Sequence, residues 1–310
     1  MLNLLLLFAA FADAPQAEVF DDWAAACDNV KRCEATALQA PEQFGDDPSQ
    51  VLMTREADGT LSIAIDPATL VKGPVTLLVD GKQVATGTIG ENYRVSGPAA
   101  DALAKSMAAG KWLELRNGAR AMAKISLDGF SAALDYIVAE QRGGASALPV
   151  VPALRAASGA ADSPSKAVLG EMAKLGDCDL SAVAKDLPVE RYRLDATTTL
   201  VLIPCGSGAY NYNSAAFVLR GGKGAPAEFD VMPDWMDGDG PGVLTNASFA
   251  TIDGAVLTSS QKGRGLGDCG SSQSWVWDGS RFRMIEARSL GECRGSVNWL
   301  TVFRATPQWR

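Results

Sequence analysis

Six cysteines, placed in three sequence-local pairs, restrict the folds open to this chain more than any other feature. The pairs are Cys27 with Cys33, Cys178 with Cys205, and Cys269 with Cys293. Six cysteines allow many connectivities in principle, and the clustering favours the set in which each one bonds its sequence neighbour. None has the close C-x-x-C spacing of a zinc or redox site. Oxidised structural bridges are therefore the expected state.

The beginning of the chain has the pattern of a secretion signal. The stretch MLNLLLLFAAFADA is an apolar run that ends in small residues. Ala10-Phe11-Ala12 fits the A-x-A cleavage rule, which makes Asp13 the expected start of the mature protein. The run is shorter than the ~20 residues that a membrane span needs. We therefore interpret residues 1–17 as a signal peptide and mature N-terminus, expect no transmembrane span, and expect a periplasmic, secreted or cell-surface protein.

The composition excludes several classes of function. The chain has no histidine, which removes Ser-His-Asp and Cys-His catalysis and the commonest transition-metal ligand. A formal net charge of −8 argues against nucleic-acid binding, which needs a basic surface. Between residues 255 and 310, however, eight Lys or Arg outnumber four Asp or Glu, so that segment carries +4. No cofactor is expected, and no metal, because the acidic loop with Asp234, Asp237 and Asp239 lacks calcium-loop spacing.

Composition also divides the rest of the chain. Residues 142–165, RGGASALPVVPALRAASGAADSPS, are rich in Ala, Gly, Ser and Pro and follow no consistent helical or strand period. Such a segment is typical of an interdomain linker. The expected domains are residues 18–141 and residues 166–310. The expected fold class is α+β, mainly antiparallel β hairpins with a few short helices, in two domains.

Asp-Gly and Asn-Gly dipeptides predict where the hairpins turn, because type I′ turns need positive φ at both central residues. They occur at Asp58-Gly59, Asp80-Gly81, Asn117-Gly118, Asp253-Gly254 and Asp278-Gly279. Three helices are also predicted, in PAADALAKSMAAGK, GFSAALDYIVAEQ and SPSKAVLGEMAKLG. In the last of these, Ser163 is the expected N-cap, Pro164 the first helical residue and Gly176 the residue after the end.

The expected strand pairing around Asp278-Gly279 predicts which face of the hairpin carries the aromatic side chains. A two-residue turn there would place Trp277 opposite Ser280 and Trp275 opposite Phe282. Cross-strand partners share a face, so two tryptophans form one apolar patch with Phe282 and Met284, most simply facing a core. A tryptophan platform for sugars is the alternative. The other face, with Val276, Arg281 and Arg283, is expected to contact more water.

The glycine-rich stretch KGRGLGDCGSSQSWVWDG contains GLGDCG, a match to the dinucleotide fingerprint G-x-G-x-x-G. That fingerprint needs a helix after the glycines, whereas a strand pattern follows here, so nucleotide binding is disfavoured. The stretch Lys262 to Gly270 is interpreted as a loop that Cys269 holds in place. Lys262, Arg264 and Asp268 are its candidate ligand-binding residues, and a solvated structural loop is the alternative.

Two stretches of the first half carry a family resemblance. FDDWAAACDNVKRCEA and KISLDGFSAALDYI resemble the invasion-associated locus B family of bacterial envelope proteins. The shared points are the Asp-Trp before a cysteine and the S-L-x-G-F-x-x-A-L ending. The resemblance implies that residues 18–141 form a β-rich domain of that type, with an envelope or host-contact role.

The second half resembles a different family. LTSSQKGRGLGDCGSSQSWVWDGSRFRM, together with ECRGSVNWLTVFRA, is similar to an uncharacterised proteobacterial domain family of unknown function. The resemblance covers roughly residues 166–310 and implies a secreted or periplasmic β-rich domain. An extension over the whole chain is open, since such proteins often begin with the same D-W…C-D-N element. The family supplies no catalytic residues.

Together these features favour an exported, non-enzymatic envelope protein that binds an envelope component or a partner protein. An anionic envelope polymer or an envelope protein is the expected partner, because Lys262 and Arg264 lie in the positive segment. Two alternatives stay open: a glycan hydrolase that uses a carboxylate pair, and an inhibitor or stress factor acting on an envelope enzyme. Two carboxylates ~5–9 Å apart in a cleft would favour the hydrolase, and a protruding rigid loop would favour the inhibitor.

Overall fold

A computed structural model describes residues 17–44, 48–68, 72–90, 92–180, 187–230, 242–251 and 255–310. Residues 1–16 of the expected signal peptide, the acidic loop with Asp234, Asp237 and Asp239, and the Asp253-Gly254 turn lie outside the described residues. The described residues form five sheets and three α-helices, and most strand pairs are antiparallel. The α+β expectation of β hairpins with a few short helices is confirmed. No helix among these residues is long and apolar enough to span a bilayer.

The first half contains ten strands and two helices. In chain order they are β1 (Glu18–Phe20), β2 (Trp23–Cys27), β3 (Cys33–Ala37), a 3₁₀ turn (Pro41–Gln43), β4 (Gln50–Arg55), β5 (Leu61–Asp66), β6 (Gly73–Val79), β7 (Lys82–Ile89), β8 (Tyr93–Ser96), α1 (Pro98–Ala108), β9 (Trp112–Asn117), β10 (Arg120–Ser126) and α2 (Phe130–Gln141). One sheet has the order β1-β2-β3-β4-β5-β8 and the other β10-β9-β6-β7. The two sheets and both helices enclose the first core.

The second half is built from three further sheets and one helix. Its elements are β11 (Val150–Ala153), α3 (Lys166–Leu175), β12 (Glu190–Arg193), β13 (Thr198–Ser207), β14 (Tyr212–Arg220), β15 (Lys223–Pro226), β16 (Val243–Thr245), β17 (Ser248–Ala250), β18 (Val256–Lys262), β19 (Gly270–Trp277), β20 (Phe282–Leu290), β21 (Leu300–Arg304) and β22 (Thr306–Trp309). Strands β12 to β15 form one sheet, with β16 added beside β14, and β17 to β21 form another in sequence order. Helix α3 packs on the first of these two sheets.

The turn predictions differ in how closely the structure follows them. Asp80-Gly81 is a two-residue turn with positive φ at both residues, and Val79 pairs with Lys82 as expected. At Asp278-Gly279 the predicted register is wrong. Trp277 pairs with Phe282, because the Asp278 carboxylate accepts the backbone N–H groups of Ser280 and Arg281 and closes a longer turn. The observed pairing differs from the predicted one by two residues. Because side chains alternate between faces, the two tryptophans still share a face with Phe282 and Met284.

The third helix begins two residues later than predicted. Ser165, not Ser163, is the N-cap, and its hydroxyl accepts the backbone N–H of Val168 at 3.3 Å. Gly176 follows the helix end, as the sequence predicts. The sequence prediction placed the N-cap before Pro164. The observed N-cap is instead the serine directly before the first helical residue, and serine is a preferred residue at that position.

Strand β2 separates two cores. On one face Trp23, Ala25 and Cys27 pack into the first core, and on the other Ala24 and Ala26 join the second core with the tryptophans of β19. Every residue of this strand is buried. The unbroken apolar run WAAAC fits this arrangement, because a strand that is buried on both faces carries apolar residues continuously rather than in alternation.

The aromatic patch of β19 and β20 faces a core, as predicted. Trp275, Trp277, Phe282 and Met284 are all buried in the second core. The two indole N–H groups donate to the backbone carbonyl of Asp230 and the carboxylate of Asp195, each at 2.8 Å. Buried tryptophan needs such partners, so these side chains are structural and do not form a sugar platform.

The opposite face of that hairpin is not as open as expected. Val276 is fully buried, because β11 and β22 pair in parallel and cover it with Val151 and Ala153. Strand β11 lies inside the segment predicted to be a linker. Arg281 and Arg283 remain partly exposed and form ion pairs with Asp230. The division into two domains stays a prediction, and many contacts cross it.

Gln273 is an exception in the second core. Its side chain is 2% exposed, and neither its amide nitrogen nor its amide oxygen has a hydrogen-bond partner. An unsatisfied buried polar group costs about 1–3 kcal/mol. We therefore expect Gln273→Met to raise the free energy of unfolding by about that amount, measured by urea denaturation. Gln83→Met, at an exposed strand position, is the control, and a destabilised Gln273→Met protein would contradict the prediction.

Candidate functional site

The candidate loop, residues 262–270, which we call the glycine loop, joins β18 to β19 and is tied along its whole length. Cys269 is bonded to Cys293 at the far end, and the backbone N–H of Gly263 donates to the carbonyl of Cys269 at 2.9 Å. Asn211 bonds both the N–H and the carbonyl of Lys262. The hydroxyl of Tyr210 donates to the carbonyl of Gly263 at 3.1 Å. The loop therefore has a fixed conformation rather than a freely solvated one.

Arg264 and Asp268 hold each other inside this loop. The guanidinium donates two hydrogen bonds to the carboxylate, one of them 2.7 Å from Nε to Oδ1. Asp268 is only 1% exposed and also accepts the backbone N–H of Gly295 at 2.7 Å. The hydrogen bonds from Arg264 and Gly295 lower the pKa of Asp268 although burial opposes this. The carboxylate thus stays ionised and serves the loop, and it neutralises Arg264.

Three side chains of this region remain available to a partner. Leu266 is 74% exposed near the middle of the glycine loop, and the half-exposed ring of Tyr210 lies against Gly265. The ammonium group of Lys262 has no ion-pair partner in the part of the chain that the structure describes. Of the three residues predicted as ligand-binding, Lys262 alone thus carries a free charge.

A polar cavity, which we call the seam cleft, lies beside the loop, between the two halves of the chain. It has a volume of about 360 Å³ and is lined by Glu34, Leu52, Thr258, Ser272, Ser274, Glu286, Arg288, Val297, Asn298 and Trp299. The glycine loop supports one wall, because the indole N–H of Trp299 donates to the carbonyl of Gly267 at 3.1 Å. A side chain at Gly270 would strike the same indole ring.

Sequence reasoning did not identify this cleft. Its serines and threonine alternate with buried residues along β18 and β19, which is the period of a polar sheet face. That signal was available in the sequence. Glu34, however, comes from β3 in the other half of the chain, and no local pattern predicts its approach.

The contacts between the halves, which we call the seam, join the two stretches that carried the family resemblances. Arg294 donates to the carboxylate of Asp22 and to the carbonyl of Asp21. Arg304 donates to the carboxylate of Asp28, 2.5 Å from Nε to Oδ2. The D-W…C-D-N element is therefore bonded to the ECRGSVNWLTVFRA stretch, through Arg294 and Arg304.

The comparison with protein families agrees with this arrangement. A family described as "Protein of unknown function (DUF1176)" matches residues 17–306. The chain belongs to the DUF1176 family. This single match runs through both halves of the chain. It gives no support to the expectation that residues 18–141 are a separate part related to invasion-associated locus B.

One curated protein is similar to this chain over nearly its whole length. The uncharacterized protein YpfG of Escherichia coli strain K12 is 27% identical over 337 aligned positions, covering 94% of this chain and 93% of that protein. No solved structure matches this DUF1176 chain. The expected three cysteine pairs are bonded in the structure, which points to an oxidising, extracytoplasmic location for this family member.

Proposed function

We propose that this protein is an exported, non-catalytic binding protein of the cell envelope that binds a protein partner through the glycine loop. The observation that carries the proposal is an exposed leucine, Leu266, on a loop whose backbone is tied at both ends. A preordered loop loses less conformational entropy on binding than a free one. Aromatic rings such as that of Tyr210 are enriched at protein interfaces, where the centre is apolar and the rim is polar.

A protein partner fits these groups better than an anionic polymer does. Polyanion binding depends on several free cations acting together, whereas Asp268 already neutralises Arg264. Lys262 shares the glycine loop with the exposed Leu266, and the ring of Tyr210 lies against Gly265 of the same loop. An acidic patch with an apolar centre on an envelope protein is the complementary surface.

The non-catalytic part of the proposal rests on the carboxyl groups. A glycoside hydrolase needs a carboxylic acid whose pKa is raised, so that it can donate a proton near neutral pH. Each described carboxyl group with a resolved shift has a lowered pKa: Asp58, Asp195, Asp268 and Asp278. Glu34 and Glu286, which line the seam cleft, are both bonded to arginines. These groups suit structure and binding better than acid catalysis.

The test replaces the exposed groups and leaves the Arg264–Asp268 pair intact. Lys262→Ala with Leu266→Ser is expected to reduce capture of the partner from envelope extracts about tenfold, the loss of about 1.4 kcal/mol of binding. The melting temperature should stay near that of the parent protein, because both side chains are exposed. Quantitative mass spectrometry of cross-linked complexes measures the capture.

The exported state has a separate test. N-terminal sequencing of the periplasmic protein should find a start near Asp13.

A matched control is present elsewhere in the chain. Lys174→Ala with Leu175→Ser makes the same two changes at another exposed lysine and leucine, at the end of α3. This variant should capture the partner as well as the parent does. The loop is rejected as the binding surface if the loop variant captures as much partner as the parent protein does. It is also rejected if the loop variant and the control variant lose capture to the same extent.

The same loop supports a second candidate, an inhibitor of an envelope enzyme. A disulfide-tethered loop with an exposed leucine has the form that fits a concave active site. If the captured partner is an enzyme, its activity should fall with the parent protein and recover with the Lys262→Ala and Leu266→Ser variant.

A further inference from the structure

We propose that the seam cleft is a second binding site, which takes a neutral polyhydroxylated ligand, a short saccharide. The cleft lies on the face of the β17–β21 sheet opposite the buried tryptophans, and strands β3 and β4 close it from the other half. Its volume of about 360 Å³ is at the lower end of the range of small-molecule sites. The site is separate from the exposed side of the glycine loop and does not depend on a protein partner.

Hydroxyl groups form the floor of the cleft. Thr258 pairs with Ser274 across β18 and β19, and their hydroxyl oxygens are 2.9 Å apart. Ser272, one step along the same face, makes no side-chain hydrogen bond among the described residues. Each hydroxyl both donates and accepts, so this floor matches a ligand whose own groups also do both.

The charged residues that line the cleft are held in ion pairs. Glu34 accepts from Arg32 at 2.5 Å and from the backbone N–H of Thr301 at 2.8 Å. Glu286 accepts two hydrogen bonds from Arg288, at 2.9 and 3.1 Å. Arg32 is shared with Glu56 at 3.1 Å, and Arg288, the cation of the cleft lining, is paired with Glu286. A phosphate would therefore meet no unpaired cation among the lining residues. The cleft still presents planar polar groups, which hydrogen-bond to neighbouring hydroxyls of a sugar.

An amide and an aromatic ring complete the wall. The side-chain N–H₂ of Asn298 donates to the hydroxyl of Thr36 and the carbonyl of Val51, which fixes the amide in place. Trp299 is held by Gly267 and packed over Gly270, so its indole lines the cleft in a set orientation. A fixed aromatic ring beside convergent polar groups suits the mixed apolar and polar surface of a saccharide.

The test titrates the full-length mature protein with defined sugars by calorimetry and saturation-transfer NMR. Glucose, N-acetylglucosamine, maltose and cellobiose are the neutral probes, and glucose 6-phosphate and glucosamine are their charged counterparts. We expect at least one neutral probe to bind at millimolar or lower concentration, about tenfold more tightly than the charged analogues. Failure of all neutral probes, or tighter binding of a charged analogue, overturns the proposal.

A pair of variants places the binding in the cleft. Ser272→Leu fills the floor and should abolish saccharide binding, whereas Ser271→Leu, on the same strand but the other face, should bind like the parent. If the leucine disturbs folding, Ser272→Ala and Thr258→Val remove single hydroxyls and should each weaken binding about 2- to 10-fold. Binding that survives these smaller changes in folded protein also overturns the proposal.

The outcome is distinguishable from that of the proposed function. Ser272→Leu should leave protein capture by the glycine loop unchanged, and Lys262→Ala with Leu266→Ser should leave saccharide binding unchanged. Release of glucose from maltose or cellobiose would reject the non-catalytic function while supporting saccharide binding at the cleft.

Discussion

Asp28→Ala is expected to lower the free energy of unfolding by about 3–5 kcal/mol, the usual cost of removing one partner from a buried ion pair. The Asp28 side chain is fully buried, and one of its oxygens bonds Arg304. The other accepts the backbone N–H groups of Val30 and Arg32, each at 2.9 Å. The substitution therefore leaves a partly buried guanidinium and two backbone donors without their acceptor. Urea denaturation at constant m-value measures the loss.

Asp58→Ala is the matched control for this prediction. Asp58 makes the same kind of bond to a backbone N–H, that of Thr60, but in an exposed hairpin turn and without an ion pair among the described residues. Its replacement should change stability little. If Asp28→Ala is no more destabilising than Asp58→Ala, the seam does not stabilise the fold as inferred. An Asp28→Ala and Arg304→Ala double-mutant cycle then isolates the pair from the turn.

Removing the Cys269–Cys293 bridge is expected to cost about 3 kcal/mol by loop-closure entropy, and to disorder the binding surfaces as well. The bridge closes a segment of 24 residues. Directly beside its two ends, Asp268 accepts the backbone N–H of Gly295, and Gly267 in the glycine loop accepts the indole N–H of Trp299. Cys269→Ser with Cys293→Ser should therefore weaken both partner capture and saccharide binding. The measurements are urea denaturation and the two binding assays.

The Cys178–Cys205 bridge provides the comparison. It spans a similar separation, 27 residues, and lies beside α3, where its sulfurs contact the carbonyls of Gly176 and Ile203 rather than the glycine loop. Cys178→Ser with Cys205→Ser should lose comparable stability and, at a temperature where both variants remain folded, retain both binding activities. Equal loss of binding in the two variants would show that general destabilisation, not the loop, explains the effect.

Local sequence signals predicted the parts of this fold that local chemistry determines. The Asp80-Gly81 turn was placed correctly because only a few residue types adopt positive φ twice in succession. The Asp278 turn was misplaced because a side-chain hydrogen bond competed with the simplest turn geometry. The cysteine pairs followed from proximity in sequence.

The candidate sites were only partly accessible from the sequence. The positive character of Lys262 and Arg264 was visible, but the buried partner of Arg264 was not, because composition does not reveal which charges are neutralised. Glu34 and Glu286 line the seam cleft from opposite halves of the chain, and only the tertiary fold brings them together. The cleft's one advance signal was the run of serines and threonine on a single sheet face.

The position of β2 between two cores has a consequence for how this chain acquires its structure. Ala24 and Ala26 of this strand face residues of the second core. Asp28, which follows the strand, pairs with Arg304, 276 positions further along the chain. Contacts of such long separation form slowly, because the intervening chain must be ordered first. The first hairpin therefore remains incomplete until the last strands of the chain are available to pack against it.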